Sequence, residues 1–220
     1  MSLAARLTAL SLVSLAGASM LAQAEQYELG KCASAAQKQT VQEFYTTMPA
    51  SPPLVVQRML GLSEEIVVSA LPSSLAVGTS ADHFEEVAAL FETIPGQVQY
   101  VVEAADTVTK VFAPITAAQD TVDDDVWYDL ISDGVLDGGP GLMIHLRPEA
   151  LSSIYAIDLP GGEMPDGTIR EGGTRAIIFF GKDSRSAVGI YVTLVSDGTP
   201  EAITAFENIK ELVASLPDIC

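Results

Sequence analysis

Apolar residues recur at helical spacing through the first part of the chain. Side chains three or four positions apart share one face of an α-helix, so residues 33–47 are predicted to be helical, with Val41, Phe44 and Tyr45 on the apolar face. Prolines, glycines and side-chain caps delimit three shorter helices after it. These are predicted from Pro52, behind a Ser51 cap, to Gly61, from a Ser63 cap to Leu71, and from Ala81, behind a Ser80 cap, to about Thr93.

The hydrophobic period shortens to two residues after Pro95-Gly96. Alternation of this kind is typical of strands with one buried face, and Asp-Gly, Gly-Gly and Gly-Pro pairs indicate turns between them. The acidic segment Asp120–Asp125 is interpreted as a solvated loop, because its spacing does not match a calcium-binding EF-hand. Strands are predicted at Gln97–Ala104, Thr107–Ala113, Val126–Ile131, Gly141–Arg147, Ser152–Asp158, Thr174–Gly181 and Ala187–Ser196.

The last segment has the pattern of one amphipathic helix, capped by Thr199 and opened by Pro200. Its predicted buried stripe consists of Ile203, Phe206, Ile209 and Val213. The order of elements predicts an α+β fold with N-terminal short helices, a large meandering antiparallel sheet and one C-terminal helix. Residues 25–220 are predicted to form a single domain, with a helical part at about 30–93 and a sheet part at about 96–220.

The N-terminus has the pattern of an export signal. Residues 1–24 contain one charge, Arg6, followed by an apolar run and the small-residue site Ala22-Gln23-Ala24. The run is short for a membrane span, so a cleaved signal peptide is favoured over an uncleaved anchor, and no stable membrane insertion is expected. The sequence therefore predicts a periplasmic or secreted bacterial protein that begins near Glu25.

The charge balance argues against nucleic acid as a partner. Removal of the leader leaves 10 basic and 29 acidic residues, a net charge near −19 that repels phosphates at long range. The helix pair between Pro52 and Leu71 resembles a helix-turn-helix, but its second helix contains no Lys or Arg. We expect that pair to serve packing and not DNA binding.

The only two cysteines are Cys32, near the predicted mature N-terminus, and Cys220, the last residue. An even count in an exported chain favours one disulfide that joins the two ends of the chain. The alternatives are two buried thiols or pairing of Cys220 between chains. There is no CxxC redox motif and no cysteine metal cage in the sequence.

The predicted strand Gly141–Arg147 contains the most informative residues of the chain. Alternation places Met143, His145 and Arg147 on one strand face. Imidazole coordinates iron and other transition metals, and guanidinium binds carboxylates, so this face is a candidate ligand site. The alternative is that His145, one of only two histidines, is a hydrogen-bonded structural residue.

Motifs of the common enzyme classes are missing from the sequence. It contains no G-x-S-x-G, H-E-x-x-H, P-loop or dinucleotide-binding fingerprint. The glycine-rich run Gly138–Gly141 precedes a predicted strand and not a helix, which argues against phosphate binding. The sequence favours a binding protein over an enzyme.

A series of short motifs resembles the haem-utilisation carrier family of the ChuX/HutX type. The resemblance extends from Leu54 to Leu216, about three quarters of the chain, and depends on the order and spacing of the motifs. The motifs are Met59–Ser63, Val67–Pro72, Asp82–Val87, Gly96–Val98, Gly141–Arg147, Ala176–Phe180 and Ala187–Val192.

The resemblance implies a homodimer that binds haem on a sheet surface, with His145 at the position of a family ligand and Arg147 at that of a family arginine. Three features depart from the family pattern. Glu103 stands where a second family histidine is found, Ile94-Pro95 replaces an aromatic residue, and the family is cytoplasmic whereas this chain has a predicted export signal. An exported relative with a changed ligand would fit these departures.

Two functions remain open at the level of sequence, together with a minor third. The first is an exported haem or tetrapyrrole carrier, with His145 as axial ligand, Met143 or Tyr100 as a partner on the other side, and Arg147 or Lys110 at a propionate. The second is a protein-interaction module, an adaptor or inhibitor, that uses the same sheet. The third, an enzyme acting on haem, is disfavoured because no separate acid–base group is evident.

Overall fold

The structure is a computed structural model that describes residues 29–104, 107–122, 125–131, 143–193 and 198–220. The predicted leader and the first two residues of the strand predicted at 141–147 lie outside the described residues. The described part has an α+β architecture with antiparallel sheets, a group of N-terminal helices and one C-terminal helix, which confirms the predicted fold class. No helix in these ranges is both long enough and apolar enough to cross a membrane.

Three of the five described α-helices begin at polar side-chain caps. Ser34 and Gln37 form a reciprocal capping box at the first helix, Ser63 accepts the Ile66 amide at the third, and Thr199 accepts the Ala202 amide at the last. The second helix ends at Gly61, whose φ of 67° favours glycine. The helices are α1 (Ala35–Thr47), α2 (Pro53–Leu60), α3 (Glu64–Ser69), α4 (Phe84–Ala88) and α5 (Pro200–Ser215).

Two helix predictions need correction. Ser51 does not cap α2, because Pro53 holds Pro52 in an extended conformation and Pro52 itself becomes the cap residue. The helix predicted from Ala81 to Thr93 is divided into a 3-10 turn, the short α4 and a second 3-10 turn. Of the apolar face that the spacing predicts, Phe84, Val87 and Phe91 are buried and Leu90 is partly buried. Apolar spacing alone does not distinguish one continuous helix from successive turns.

A six-stranded antiparallel sheet forms the centre of the molecule, with strand order β1-β7-β10-β11-β2-β3. Strands β4, β5 and β6 form a separate three-stranded sheet, so the strands do not make the single meander that the sequence predicts. β8 and β9 form a small hairpin. The strands are β1 (Ala76–Ser80), β2 (Val98–Ala104), β3 (Thr107–Ala113), β4 (Thr116–Val122), β5 (Asp125–Ile131), β6 (Met143–Leu146), β7 (Leu151–Leu159), β8 (Gly162–Glu163), β9 (Ile169–Arg170), β10 (Thr174–Gly181) and β11 (Ser186–Thr193).

Sequence patterns miss strands β1 and β4. β1 lies in the segment that the sequence assigns to the helical part, but it pairs along its length with β7. β4 pairs with β5 from Thr116 opposite Ile131 to Val122 opposite Asp125, so part of the predicted acidic loop Asp120–Asp125 is strand. Neither β1 nor β4 has a strong apolar alternation. Pairing with another strand stabilises each of them, with the distant β7 in the case of β1 and with the following β5 in the case of β4.

The large sheet is buried on both faces at its centre. One face packs against α4, α5 and the small sheet through side chains such as Ile154, Ile177 and Phe179. The opposite face packs against α1, α2 and α3 through side chains such as Tyr155, Ile178 and Phe180. Strands buried on both faces read as continuous apolar runs, which explains the run Ala176–Phe180 in β10.

The segment around Cys32 and the C-terminal residues meet at one edge of the large sheet. Cys32 and Cys220 form the predicted disulfide, with 5.6 Å between their Cα atoms. Next to it, the Thr79 hydroxyl in the edge strand β1 donates a hydrogen bond of 2.9 Å to the Pro217 carbonyl, and Thr79 forms a β-bridge with Asp218. The C-terminal tail therefore covers part of an exposed strand edge, where unpaired backbone groups would otherwise remain.

Candidate functional site

The small sheet has one buried face and one polar face. In the register of β5 and β6, Tyr128 lies opposite Leu146 and Asp129 lies opposite His145. Tyr128, Leu130 and Leu146 belong to the hydrophobic core. Because side chains alternate along a strand, Trp127, Asp129, Met143 and His145 share the other face, and Arg147 follows at the end of β6. We call these five residues the outer face of the small sheet.

The buried face holds the small sheet firmly against the molecule. The rings of Tyr128 and Phe84 are 4.8 Å apart in an edge-to-face arrangement. Burial, then the hydrogen bond that the Tyr128 hydroxyl donates to the Glu85 carboxylate, and then repulsion by the charge of that carboxylate raise the pKa of Tyr128 to about 12, so the phenol stays neutral at physiological pH. The outer face is thus carried by strands whose opposite side is fixed in the core.

The central contact of the outer face joins His145 to Asp129. The His145 Nδ1 and Asp129 Oδ1 atoms are 2.6 Å apart. An ionised carboxylate only accepts hydrogen bonds, so Nδ1 carries the hydrogen and Nε2 has the free lone pair in the neutral ring. The Asp129 side chain is only 11% exposed, whereas that of His145 is 57% exposed. A buried carboxylate thus orients an imidazole that remains accessible to a ligand.

Arg147 and Trp127 form a second contact on this face. The Arg147 guanidinium carbon lies 5.6 Å from the centre of the Trp127 ring, within the range of a cation–π interaction. The contact restrains a flexible cationic side chain next to His145. The outer face therefore combines an imidazole, a guanidinium, a thioether and an indole ring.

Of the other residues predicted for the site, Met143 belongs to the outer face, whereas Tyr100 and Lys110 lie apart from it. Met143 is half-buried and lies two positions before His145 on the same strand face. Tyr100 is buried in the core, where its hydroxyl donates to the Pro114 carbonyl, and burial raises its pKa. Lys110 lies opposite Val101 in the β2–β3 pair, on the face of the large sheet that packs against α1, α2 and α3 and not on the face that carries the small sheet. The side chain of Glu103 lies outside the described residues.

Sequence analysis does not single out Asp129 and Trp127 as part of the site. Both lie in the strand predicted at Val126–Ile131, where they alternate with Tyr128 and Leu130. A buried acid within an otherwise apolar strand is an unusual feature, and it could have drawn attention to Asp129. Its pairing with His145 depends on the register of two strands, which no local pattern specifies. No group of three or more His, Cys, Asp or Glu side chains with the geometry of a metal site occurs within the described ranges.

The architecture is similar to solved structures of haem-related proteins. A solved structure of the heme binding protein ChuX superposes with a TM-score of 0.60 at 20% sequence identity, and the match covers 79% of this chain and 98% of ChuX. This chain has the ChuX fold. The fold implied by the sequence resemblance is therefore confirmed. No protein-family model matches the chain, and no curated protein sequence matches it.

Two larger proteins contain the same fold in part of their length. Holo-PhuS, a heme-binding protein from Pseudomonas aeruginosa, has a TM-score of 0.57 at 12% identity over 87% of this chain and 50% of PhuS. ChuS, an Escherichia coli heme oxygenase, has a TM-score of 0.55 at 12% identity over 81% of this chain and 50% of ChuS. The ChuX fold thus occurs in binding proteins and in an enzyme, so fold alone does not decide between these activities.

Proposed function

We propose that this protein is an exported haem-binding carrier or storage protein of haem and iron utilisation. The outer face of the small sheet holds the haem, and the Nε2 atom of His145 is the axial ligand. The observation that carries the proposal is the 2.6 Å contact between His145 Nδ1 and Asp129 Oδ1, because it occupies Nδ1 and leaves Nε2 as the ligand nitrogen of a ring that is 57% exposed. ChuX and PhuS, which share the fold, are heme-binding proteins.

The donor set of the outer face fits a haem group. A neutral imidazole is a common axial ligand of haem iron, and a guanidinium matches the carboxylate of a haem propionate. Arg147, held beside Trp127, is the propionate contact in this proposal. Lys110 is not, because it lies on the opposite face of the large sheet.

The second axial position is the part of the site that differs from the sequence-based expectation. Met143 and His145 lie on the same face of one strand, about 6.6 Å apart along it, so both approach a macrocycle from the same side. Tyr100 is buried in the core and its hydroxyl already has a carbonyl partner. We therefore propose iron with one protein ligand, His145, with Met143 packing against the macrocycle.

Export and a dimeric state belong to the same proposal. The Cys32–Cys220 disulfide is typical of proteins in oxidising compartments and supports a periplasmic or secreted location with a leader at residues 1–24.

A homodimer is proposed from the sequence resemblance. The position of β3 supports it, because β3 is an end strand of the large sheet, with an unpaired edge within the described part of the chain, and its Phe112 side chain is exposed. Light scattering of the oxidised protein at tens of micromolar should give twice the chain mass, and a monomer mass would contradict the dimer.

Titration of the purified oxidised protein with hemin, followed by ultraviolet–visible absorption, tests the proposed function. We expect a saturable Soret shift with one haem per chain and a high-spin spectrum, because one imidazole leaves the sixth position to water. A linear, non-saturating change would favour the protein-interaction module. Loss of the Soret band with a reductant and oxygen, beyond that of free hemin, would indicate a haem-degrading enzyme such as ChuS.

A further inference from the structure

We infer that Asp129 is a positioning residue that makes the site selective for ferric over ferrous haem. The inference rests on the proposed function, because it concerns the oxidation state of the haem that His145 binds. Two properties of Asp129 support it: the hydrogen bond that it accepts from His145, and the negative charge that it holds in a nearly buried position.

The hydrogen bond determines how the imidazole binds a metal. With Nδ1 donating to Asp129, the ring has one tautomer and one orientation, with Nε2 as the ligand atom. A carboxylate on the far nitrogen also draws the Nδ1 hydrogen toward itself and increases the electron density at Nε2. A more basic nitrogen binds Fe(III) more strongly relative to Fe(II), because the ferric ion has the higher charge.

The charge acts in the same direction. The iron–porphyrin core carries one positive charge in the ferric state and none in the ferrous state, since the porphyrin ring itself is a dianion. The Asp129 side chain is 11% exposed, so solvent screens its charge less than that of a surface carboxylate. Arg147 is a cation on this face, and a bound propionate would offset its charge. The remaining carboxylate therefore favours the ferric form.

The chain offers a matched comparison in its other histidine. His83 Nδ1 and Glu86 Oε1 are 2.9 Å apart, but this contact lies within one helical turn and the Glu86 side chain is 55% exposed. Both histidines thus have a carboxylate on the same ring nitrogen, and only the His145 pair lies on the outer face of the small sheet. Glu86→Gln removes the same charge as Asp129→Asn without changing the proposed site.

Spectroelectrochemical titration of the hemin-loaded protein tests the ferric preference. The amide of the Asp129→Asn variant still accepts a hydrogen bond through its oxygen, so the variant removes the charge and retains the geometry. We expect the ratio of ferric to ferrous affinity to fall about tenfold, which is a rise of about 59 mV in the potential of this one-electron couple. Glu86→Gln should leave the potential unchanged. An unchanged potential in an Asp129→Asn protein that still binds hemin through His145 would overturn the inference and leave the proposed function standing.

Nitrogen-15 NMR of the haem-free protein provides a readout that does not depend on haem binding. With only two histidines, a His83→Ala spectrum assigns the His145 signals. We expect the Nδ1-protonated tautomer in the wild type and a mixture of tautomers in Asp129→Ala. The same mixture in the wild type would contradict the positioning role. If the wild type binds no hemin, the proposed function and the ferric preference both fail, and the tautomer still decides whether Asp129 orients His145.

Discussion

The two sheets of this molecule differ in what their faces contain. The central strands of the large sheet are buried on both faces, and the fully buried side chains of β10 include Ile177, Phe179 and Phe180. The small sheet buries one face only and displays polar side chains on the other, where Asp129 and His145 lie opposite each other. The large sheet therefore provides rigidity, and the small sheet combines a fixed inner side with an accessible outer side.

This difference explains why the candidate chemistry lies on the smaller sheet. A face that is packed against helices cannot admit a planar ligand without unfolding its contacts. A face that is exposed, on strands anchored by Tyr128 and Leu130 in the core, offers access without loss of position. Substitutions in the two sheets should accordingly have separable effects, on stability in one case and on ligand binding in the other.

Removal of the disulfide is expected to have the largest effect on stability. Replacing both Cys32 and Cys220 by serine opens a constraint that spans 188 positions, for which chain entropy predicts a loss of about 4–5 kcal/mol in the free energy of unfolding. Urea unfolding measures the loss. The disulfide lies at the β1 edge of the large sheet, so hemin affinity in the folded variant should not change. A loss of affinity without a loss of stability would break the proposed separation between the two sheets.

Truncation of a core side chain in the large sheet should cause the next largest loss in the free energy of unfolding. Phe179 is fully buried and contacts the rings of Phe84 and Phe91 at centroid distances of 5.3 and 6.0 Å. Phe179→Ala should lower the free energy of unfolding by about 3–5 kcal/mol, because it leaves a cavity and removes aromatic contacts. The exposed Ile169 on β9 is the control, and Ile169→Ala should cost less than about 1 kcal/mol. Equal losses for the two variants would contradict the described packing.

Removal of the Arg147 side chain from the small sheet should have a smaller effect, and it should weaken hemin binding without lowering the stability of the fold. Arg147→Ala is expected to weaken hemin binding about tenfold, equivalent to about 1.4 kcal/mol, because a propionate loses its partner. Its effect on unfolding should be within about 0.5 kcal/mol, since the Arg147 side chain is exposed. Arg185, an exposed arginine beside Asp183, is the control. Equal hemin affinities for Arg147→Ala and Arg185→Ala would remove Arg147 from the site.

Local patterns were sufficient to predict some elements and not others. The helix α5, the hairpin of β2 and β3, and the strand β10 have strong periodicity and clear turn or cap residues, and all are present in the structure. β1 and β4 depend on hydrogen bonds to partner strands and lack such periodicity. The sequence of such a strand does not by itself predict its conformation, because the conformation depends on hydrogen bonds and side-chain contacts with the partner strand.

The same distinction applies to the candidate site. Alternation within one strand places Met143 and His145 on a common face, as the sequence predicts. Asp129 joins them only through the register between β5 and β6. The choice of Tyr100 and Lys110 as further ligands depended on their chemistry without knowledge of which face they occupy. The structure buries Tyr100 in the core and places Lys110 on the face of the large sheet that packs against α1, α2 and α3.

The most direct test of the central claim is hemin titration of His145→Ala beside His83→Ala. We expect His145→Ala to abolish the saturable Soret shift or to weaken hemin binding at least tenfold, because no other described side chain on the outer face offers an imidazole. His83→Ala should bind as the wild type does, since His83 lies in a helical turn beside Glu86. Equal hemin affinities of the wild type and His145→Ala would contradict the assignment of His145 as the axial ligand and would indicate that His145 is a structural residue.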